Sequence, residues 1–431
     1  MEDLDSLQPD GEKAQQPDGD SPQPESPEPE SPEPEKRPRA AKPWQYALIT
    51  VLLIVLAGFV SFNIILFTNY NNLGQLLRVV MVIQDQYLEE VPVSKLVDGA
   101  ISGMVETLDP YSSYQNESEN RVFMQELSGR IGGIGVLISS ADPSRLLVVK
   151  VFADSPAGRS EIQPGDVIIG VDGRDVTATD QDTAIALIRG EPGTDVSLEV
   201  LREEEDKIFT VTIRRDYVVV PTVEGRELPG HPEIAVIAIS NFSEQTGNEF
   251  AQVLQEMDID SKAGLILDLR YNPGGEVHAA LKTAGYLVPG QEIFYIVDRN
   301  GEESPEVSDS PYLDKPLVVL VNENSASAAE IVAGAVKDYQ SGTLVGVTTY
   351  GKGVMQTVFP VEAGSLKLTT NKYLTPGRND IHGKGIEPDV AVELAAGEDV
   401  TVLPEQEPLD SQMREAARVL LEKIQGLEIR D

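Results

Sequence analysis

The 431-residue chain has no cysteine, one tryptophan and only three histidines. Without cysteine there is no disulfide framework, no thiolate zinc site and no cysteine nucleophile. Positive charge is also scarce: 34 Lys and Arg stand against 71 Asp and Glu, a formal net charge of −37. That balance argues against nucleic acid as a partner, because phosphate binding needs a basic footprint. The histidines, His231, His278 and His382, are widely separated, and neither a G-x-S-x-G elbow nor an H-E-x-x-H pair occurs. They read as surface or structural residues, and no metal or organic cofactor is implied. One uncharged apolar run, Ala47 to Thr68, has the length to cross a hydrocarbon core as a helix.

The length suggests two or three domains once the ends are set aside. Residues 1–43 form an acidic tail rich in Pro, Glu and Ser, with SPEPE in tandem. Such a tail buries too little apolar surface to offset its ordering entropy and is expected to be disordered. Lys36, Arg37, Arg39 and Lys42 precede the apolar run, and no charge follows it until Arg78. The positive-inside rule then makes 47–68 a transmembrane helix with a cytoplasmic N-terminus and an extracytoplasmic bulk. No A-x-A site follows, so an uncleaved anchor is expected rather than a signal peptide. Residues 73–124 read as a helical segment, with two apolar periodicities and a stop at Asp109-Pro110. From 217 to 396 the pattern becomes α/β, and 397–431 is an acidic linker followed by an amphipathic helix.

Two places in the α/β region carry chemistry. The buried run Pro316–Val321 leads through a polar turn to Ser327, at the start of a helical pattern over Ala328–Tyr339. A second buried run, Thr343–Val347, leads to Lys352 between Gly351 and Gly353. Ser327-x-x-Glu330 fits a capping box, which would satisfy helix N–H groups and nothing more. Gly346 to Lys352 fits the opening of a phosphate-binding loop, but Gly353 stands where Ser or Thr is needed and a strand pattern follows in place of a helix. The second place is Gly264–Gly275, a strand ending in a Pro-Gly-Gly turn that can aim backbone N–H groups at an anion.

The segment VNENSASAAEIVAGAVKDYQSGTLVGVTTYGKGVMQ resembles the catalytic core of the carboxyl-terminal processing proteases, Ser–Lys dyad serine peptidases with a PDZ domain. It is most similar to a bacterial membrane-anchored member. The resemblance implies Ser327 as nucleophile, Lys352 as general base and Gln356 as the residue that orients the base. DLRYNPGG resembles the family's oxyanion turn, which implies a backbone N–H from Gly274 or Gly275 together with that of Ala328. The run over 125–216, with GGIG followed by VLI, resembles a PDZ domain, a barrel-like sandwich with helices. Gly132, Gly133, Ile134 and Gly135 would then bind a substrate's terminal carboxylate. The implied architecture is multidomain α/β with a ClpP/crotonase-like protease core. The implied partners are proteins or peptides with accessible C-termini. Some members pair through the helices before the PDZ domain, so a homodimer is compatible with the resemblance. The competing reading is a catalytically silent PDZ scaffold. In an extended strand Lys352 and Gln356 would share a face about 13 Å apart, so their meeting requires a bend, which Gly353 would permit.

Overall fold

The computed structural model of the protein describes residues 43–69, 73–139, 145–362, 364–398, 400 and 409–428. The disorder expected over residues 1–43 falls outside these residues except for Pro43, and so does the linker at 401–408. The chain divides into two units, Met1–Glu90 and Val91–Asp431.

The first unit contains α1 (Pro43–Asn69) and α2 (Leu73–Gln86). The run expected to span a membrane is therefore helical. From Trp44 to Ser61 every described side chain of α1 is exposed. The side chains of residues 62–69 lie outside the described set, and among the described residues no helix is long and apolar enough to cross a membrane.

The second unit opens with α3 (Val93–Glu106), β1 (Ser113–Asn116) and α4 (Glu117–Ser128). Asn116 and Glu119 form a reciprocal capping box at the start of α4, and Gly129 ends it at φ 68°. Next come β2 (Arg130–Gly133), β3 (Val136–Ile138), β4 (Leu146–Val151), β5 (Val167–Val171), β6 (Arg174–Asp175), α5 (Gln181–Ile188), β7 (Asp195–Arg202), β8 (Lys207–Arg214) and β9 (Asp216–Val219). Strands β3, β4, β5, β7 and β8 form an antiparallel sheet in that order, while β2 pairs with β9. Alternate residues of β7, Val196, Leu198 and Val200, point into one core with Val148 and Ile168, which is the period-2 signature of a half-buried strand. Strand β3 is the edge of this sheet.

The α/β core is built from β10 (Val223–Leu228), β11 (His231–Ile239), α6 (Thr246–Glu256), β12 (Gly264–Asp268), α7 (Val277–Leu287), β13 (Glu292–Val297), β14 (Glu303–Val307), β15 (Leu317–Val321), α8 (Ala328–Tyr339), β16 (Thr343–Gly346), β17 (Val354–Val361), β18 (Gly364–Leu374), β19 (Val390–Ala391) and α9 (Ser411–Glu428). One sheet runs β10-β11-β12-β15-β16-β19, and all its pairings are parallel except β10 with β11. Both faces are covered. Leu265, Leu267, Val319 and Val321 pack toward α6, α7 and α8, whereas Ile266, Val318 and Leu320 pack toward Met413, Ala416 and Leu420 of α9. Burial on both faces explains why β12 and β15 read as unbroken apolar runs. Each of these side chains contributes about 1.5–3 kcal/mol of burial.

A second sheet runs β1-β18-β13-β14, with β17 also paired to β18. Here the expected helical segment 73–124 needs correction. Ser113–Asn116 is a strand that pairs antiparallel with β18, Ser113 opposite Lys367 and Asn116 opposite Gly364. Four residues at the centre of SSYQNES carry too short a pattern to announce a strand, and the partner strand lies about 250 residues away in the sequence.

Candidate active site

In a parallel sheet the loops at the carboxyl ends of neighbouring strands converge, and ligands bind in the crevice they leave. Three such loops meet here: those after β12, β15 and β16. Ser327, Lys352, Gln356, Gly274 and Gly275 all line one cavity of about 490 Å3. Its wall is apolar at Phe242, Ile331, Val354 and Met355. His278 stands exposed at the rim, in keeping with its reading as a surface residue.

Ser327 is the last residue before α8. Its backbone lies at φ 56° and ψ −116°, a conformation that costs a non-glycine residue about 1–3 kcal/mol. Sharp strand-to-helix turns of this kind present a side chain above a sheet. The strain is held by its neighbours: the Ser327 N–H donates to the Glu330 carboxylate at 2.9 Å, and the Tyr373 hydroxyl donates to the Ser327 carbonyl at 3.0 Å. The spacing of a capping box is present, but the Glu330 N–H donates to the Ser327 carbonyl at 2.8 Å, and Ser327 makes no side-chain cap hydrogen bond. The capping box thus joins Ser327 and Glu330 at the start of α8, with the Glu330 N–H engaged by the Ser327 carbonyl.

Glu330 does more than cap. It is completely buried and accepts four hydrogen bonds, from the N–H groups of Ser327 (2.9 Å), Gly351 (2.7 Å) and Lys352 (2.8 Å) and from the Thr349 hydroxyl (2.6 Å). One carboxylate thus fixes the backbone of both candidate dyad residues. No local pattern could reveal this, because three of the four donors lie about twenty residues downstream.

The candidate oxyanion turn is built around Asn272, which is fully buried. Its side-chain amide donates to the Ile239 carbonyl at 2.8 Å, and its side-chain oxygen accepts the Gly274 N–H at 2.9 Å. Its backbone carbonyl accepts the Ala326 N–H at 2.9 Å, which ties the turn to the segment that carries Ser327. The N–H of Gly274 is thereby used. Among the described residues, the N–H groups of Gly275 and Ala328 have no acceptor. At Gly275, with φ 136°, an added Cβ would lie 2.0 Å from the Phe242 carbonyl oxygen, so only glycine lets the turn approach.

Lys352 is half-buried. Burial, followed by the positive charge of Lys367, pushes its amine below the ordinary lysine range, while Glu330 and Asp109 pull the other way. Nζ lies 5.1 Å from the centroid of the Tyr111 ring. Gly353 would permit a bend, and the irregularity of the strand falls just after it. The β17–β18 register shifts between Met355 and Gln356, and Gln356 Nε2 donates to Thr369 Oγ1 at 3.2 Å. Gln356 thus lines the same cavity as Lys352, and its side-chain hydrogen bond goes to Thr369.

The glycine loop at 132–135 lies in a separate groove. Gly133, Ile134 and Gly135 line a cavity of about 180 Å3 with Val136, Ile138 and Ile188, between edge strand β3 and α5. Gly132 faces a neighbouring cavity, and its carbonyl accepts the Gly190 N–H at 3.3 Å. Among the described residues no group of His, Asp or Glu is arranged to hold a metal ion.

Comparison with known proteins places the regions of this chain in known families. Residues 233–392 match the model of peptidase family S41, 132–213 match a PDZ domain, and 66–119 match the activating protease CtpB N-terminal domain. The carboxy-terminal processing protease CtpB of Bacillus subtilis is 37% identical over 317 residues, 72% of this chain and 66% of that protein. CtpA of the same organism is 38% identical over 316 residues, 72% of this chain and 67% of that protein. A probable CtpA-like serine protease of Staphylococcus aureus is 32% identical over 379 residues, 84% of this chain and 75% of that protein. The chain thus spans about two thirds of the length of the first two relatives. On these matches the chain belongs to the carboxy-terminal processing proteases, S41 serine-type peptidases that carry a PDZ domain.

Proposed function

We propose that the protein is a membrane-anchored serine endopeptidase that captures protein C-termini in its PDZ groove and cleaves through a Ser327–Lys352 dyad. The observation that carries the reading is a single cavity lined by a strained serine, a lysine with a lowered pKa and a turn with an unused N–H. Serine is a poor nucleophile until a base takes its proton, and a lysine can do so only when neutral. Ser327 Oγ attacks the scissile carbonyl as its proton passes to Lys352 Nζ. The N–H groups of Gly275 and Ala328 hold the oxyanion, each worth roughly 3–4 kcal/mol in the transition state. The Lys352 ammonium then protonates the leaving amine, and water releases the acyl-enzyme. Gln356 supports this base indirectly, through Thr369.

In the PDZ groove a peptide adds to β3 as a further strand, with its terminal carboxylate at Gly133–Gly135 and an apolar terminal side chain against Val136, Ile138 and Ile188. The anchor reading rests on α1, whose described side chains are exposed and apolar on all sides, a pattern that suits lipid better than water. Amidating the C-terminus of a peptide substrate is expected to lower kcat/KM by about 10- to 100-fold, the loss of charge-assisted hydrogen bonds. An unchanged kcat/KM would remove the carboxylate from the recognition scheme. Alkaline carbonate extraction of membranes is expected to leave the full chain in the pellet. Release into the supernatant would mean that α1 does not anchor it.

A further inference from the structure

The segment Asp109-Pro110-Tyr111-Ser112 joins α3 to β1 and reads in the sequence only as a helix stop. In the fold it lies against Lys352. The Tyr111 ring centroid is 5.1 Å from Nζ, and no hydrogen bond joins the two. The ring is held in place by a closed set of contacts. The Asp109 carboxylate accepts the N–H groups of Tyr111 (2.8 Å) and Ser112 (2.9 Å) and the Ser112 hydroxyl (2.8 Å). It also accepts the Thr369 hydroxyl at 3.2 Å, while the Thr369 N–H donates to Ser112 Oγ at 3.1 Å. Thr369 lies on β18 and is the residue to which Gln356 donates. Burial, and then the neighbouring Tyr350, raises the pKa of the Tyr111 hydroxyl, and His382 packs edge-on against the ring at 6.1 Å.

We propose that Tyr111 is a positioning residue for Lys352, whose ring screens the amine from water and carries the ammonium the amine becomes, so that residues 109–112 complete the active site. The inference rests on Lys352 acting as the base. A base lysine must be neutral before the reaction and charged during it, and few partners serve both states. A carboxylate in contact with Nζ would hold the proton and keep the lysine charged. An aromatic face excludes water, which disfavours the ammonium at rest, yet its quadrupole attracts the positive charge once that charge forms. The nearby carboxylates are occupied elsewhere: those of Glu330 and Asp109 are filled by backbone N–H and hydroxyl donors. Lys367, on β18, adds a repelling positive charge. The Tyr111 ring supplies an aromatic face beside the amine. The Asp109 turn is thus a bracket: it fixes the ring on the base, and through Thr369 it fixes Gln356 on the same bracket.

The test uses the full chain with three variants, Tyr111→Ala, Tyr111→Leu and Tyr111→Phe. Readouts are kcat and KM on a fluorogenic peptide with an apolar free C-terminus, across pH, and melting temperature. Tyr111→Leu keeps the bulk and loses the ring, and kcat is expected to fall by about 3- to 30-fold with KM little changed. Tyr111→Ala also admits water, so its acid limb of kcat/KM is expected to move to higher pH. Tyr111→Phe is expected to recover most of the kcat lost in Tyr111→Leu. Equal losses in all three with an unmoved pH limb would reduce Tyr111 to a packing residue and overturn the proposal, as would no loss in any. If Tyr111→Ala fails to fold, the Leu and Phe comparison decides alone. Labelling of Ser327 by a fluorophosphonate in Lys352→Ala separates the two readings. Undiminished labelling would sink the dyad, whereas lost labelling with inert Tyr111 variants sinks only the role of Tyr111.

Discussion

Ser327→Ala is expected to abolish peptide cleavage by the full chain, lowering kcat by about 10⁴-fold or more, and to end fluorophosphonate labelling. Only a nucleophile gives both losses. Substrate capture at the PDZ groove should survive, because Gly133–Gly135 line a different cavity from Ser327. The nearest serine is not a silent control. Ser325 is completely buried, and its hydroxyl donates to the Leu269 carbonyl at 2.8 Å while accepting the Asn322 N–H at 2.9 Å. Ser325→Ala removes a brace between the ends of β12 and β15 and should cost about 1–3 kcal/mol of stability, with its hydroxyl chemistry irrelevant to labelling. The base adds a pH signature. Burial, and then the charge of Lys367, lowers the pKa of Lys352, and the amine works only after losing its proton. Activity should therefore rise with pH through a limb that lies below the ordinary lysine range. Lys352→Ala should erase that limb together with most of the rate. Full cleavage by Ser327→Ala would leave the silent-scaffold alternative no better off, since some other residue would then be cutting. Binding without cleavage in the unaltered chain would establish the scaffold.

The parts of the fold that were legible in sequence are those whose signal is local. Leu317–Val321 and Gly264–Asp268 are buried on both faces, so apolar content alone identifies them as parallel strands. Ser327 and Lys352 stand out because one contiguous motif carries their spacing, and the glycine turn because a second motif, DLRYNPGG, carries it. What the sequence did not announce is contributed across long separations. Glu330 looks like a cap in S-x-x-E, and its contacts to Gly351 and Lys352 exist only once β16 lies beside β15. Tyr111 reaches Lys352 only because Ser113–Asn116 joins β18. The position of the bend near Gln356 is set by a register shift between two strands, which the sequence of either strand alone does not encode. Asn272 sits inside the recognised DLRYNPGG, yet only its hydrogen bonds show that the Gly274 N–H is engaged and the Gly275 N–H is not.

The largest expected loss of stability from a single side chain far from Ser327 in the sequence is at Asp410. Arg270 leaves the end of β12 and is buried between two carboxylates. Its guanidinium bonds to Asp268 at 2.7 Å and to Asp410 at 2.9 Å, with Gln412 Oε1 at 3.2 Å. All three charged groups are at most 4% exposed. Burial alone would push the arginine pKa down, and Asp268 and Asp410 more than offset it. A buried ion cluster of this kind is weak evidence for net stability, but removing one partner is costly because it strands a charge away from water. Asp410→Ala should therefore lose about 3–5 kcal/mol, of which about 1 kcal/mol is the cap that its carboxylate provides to the Met413 N–H at the start of α9. Asp410→Asn keeps the shape and a capping oxygen and should lose less. The damage should also reach the chemistry. Arg270 is two residues from Asn272, which holds the Gly274 N–H, while the Gly275 N–H has no acceptor among the described residues. A displacement of about 1 Å in that turn is enough to lower kcat by about 10²-fold, even at temperatures where the fold is intact. Urea denaturation and kcat measured on the same Asp410→Ala preparation check both effects. Stability within about 1 kcal/mol of the unaltered chain, or full activity in a clearly destabilised variant, would show that α9 merely covers the sheet and does not hold the oxyanion turn in place.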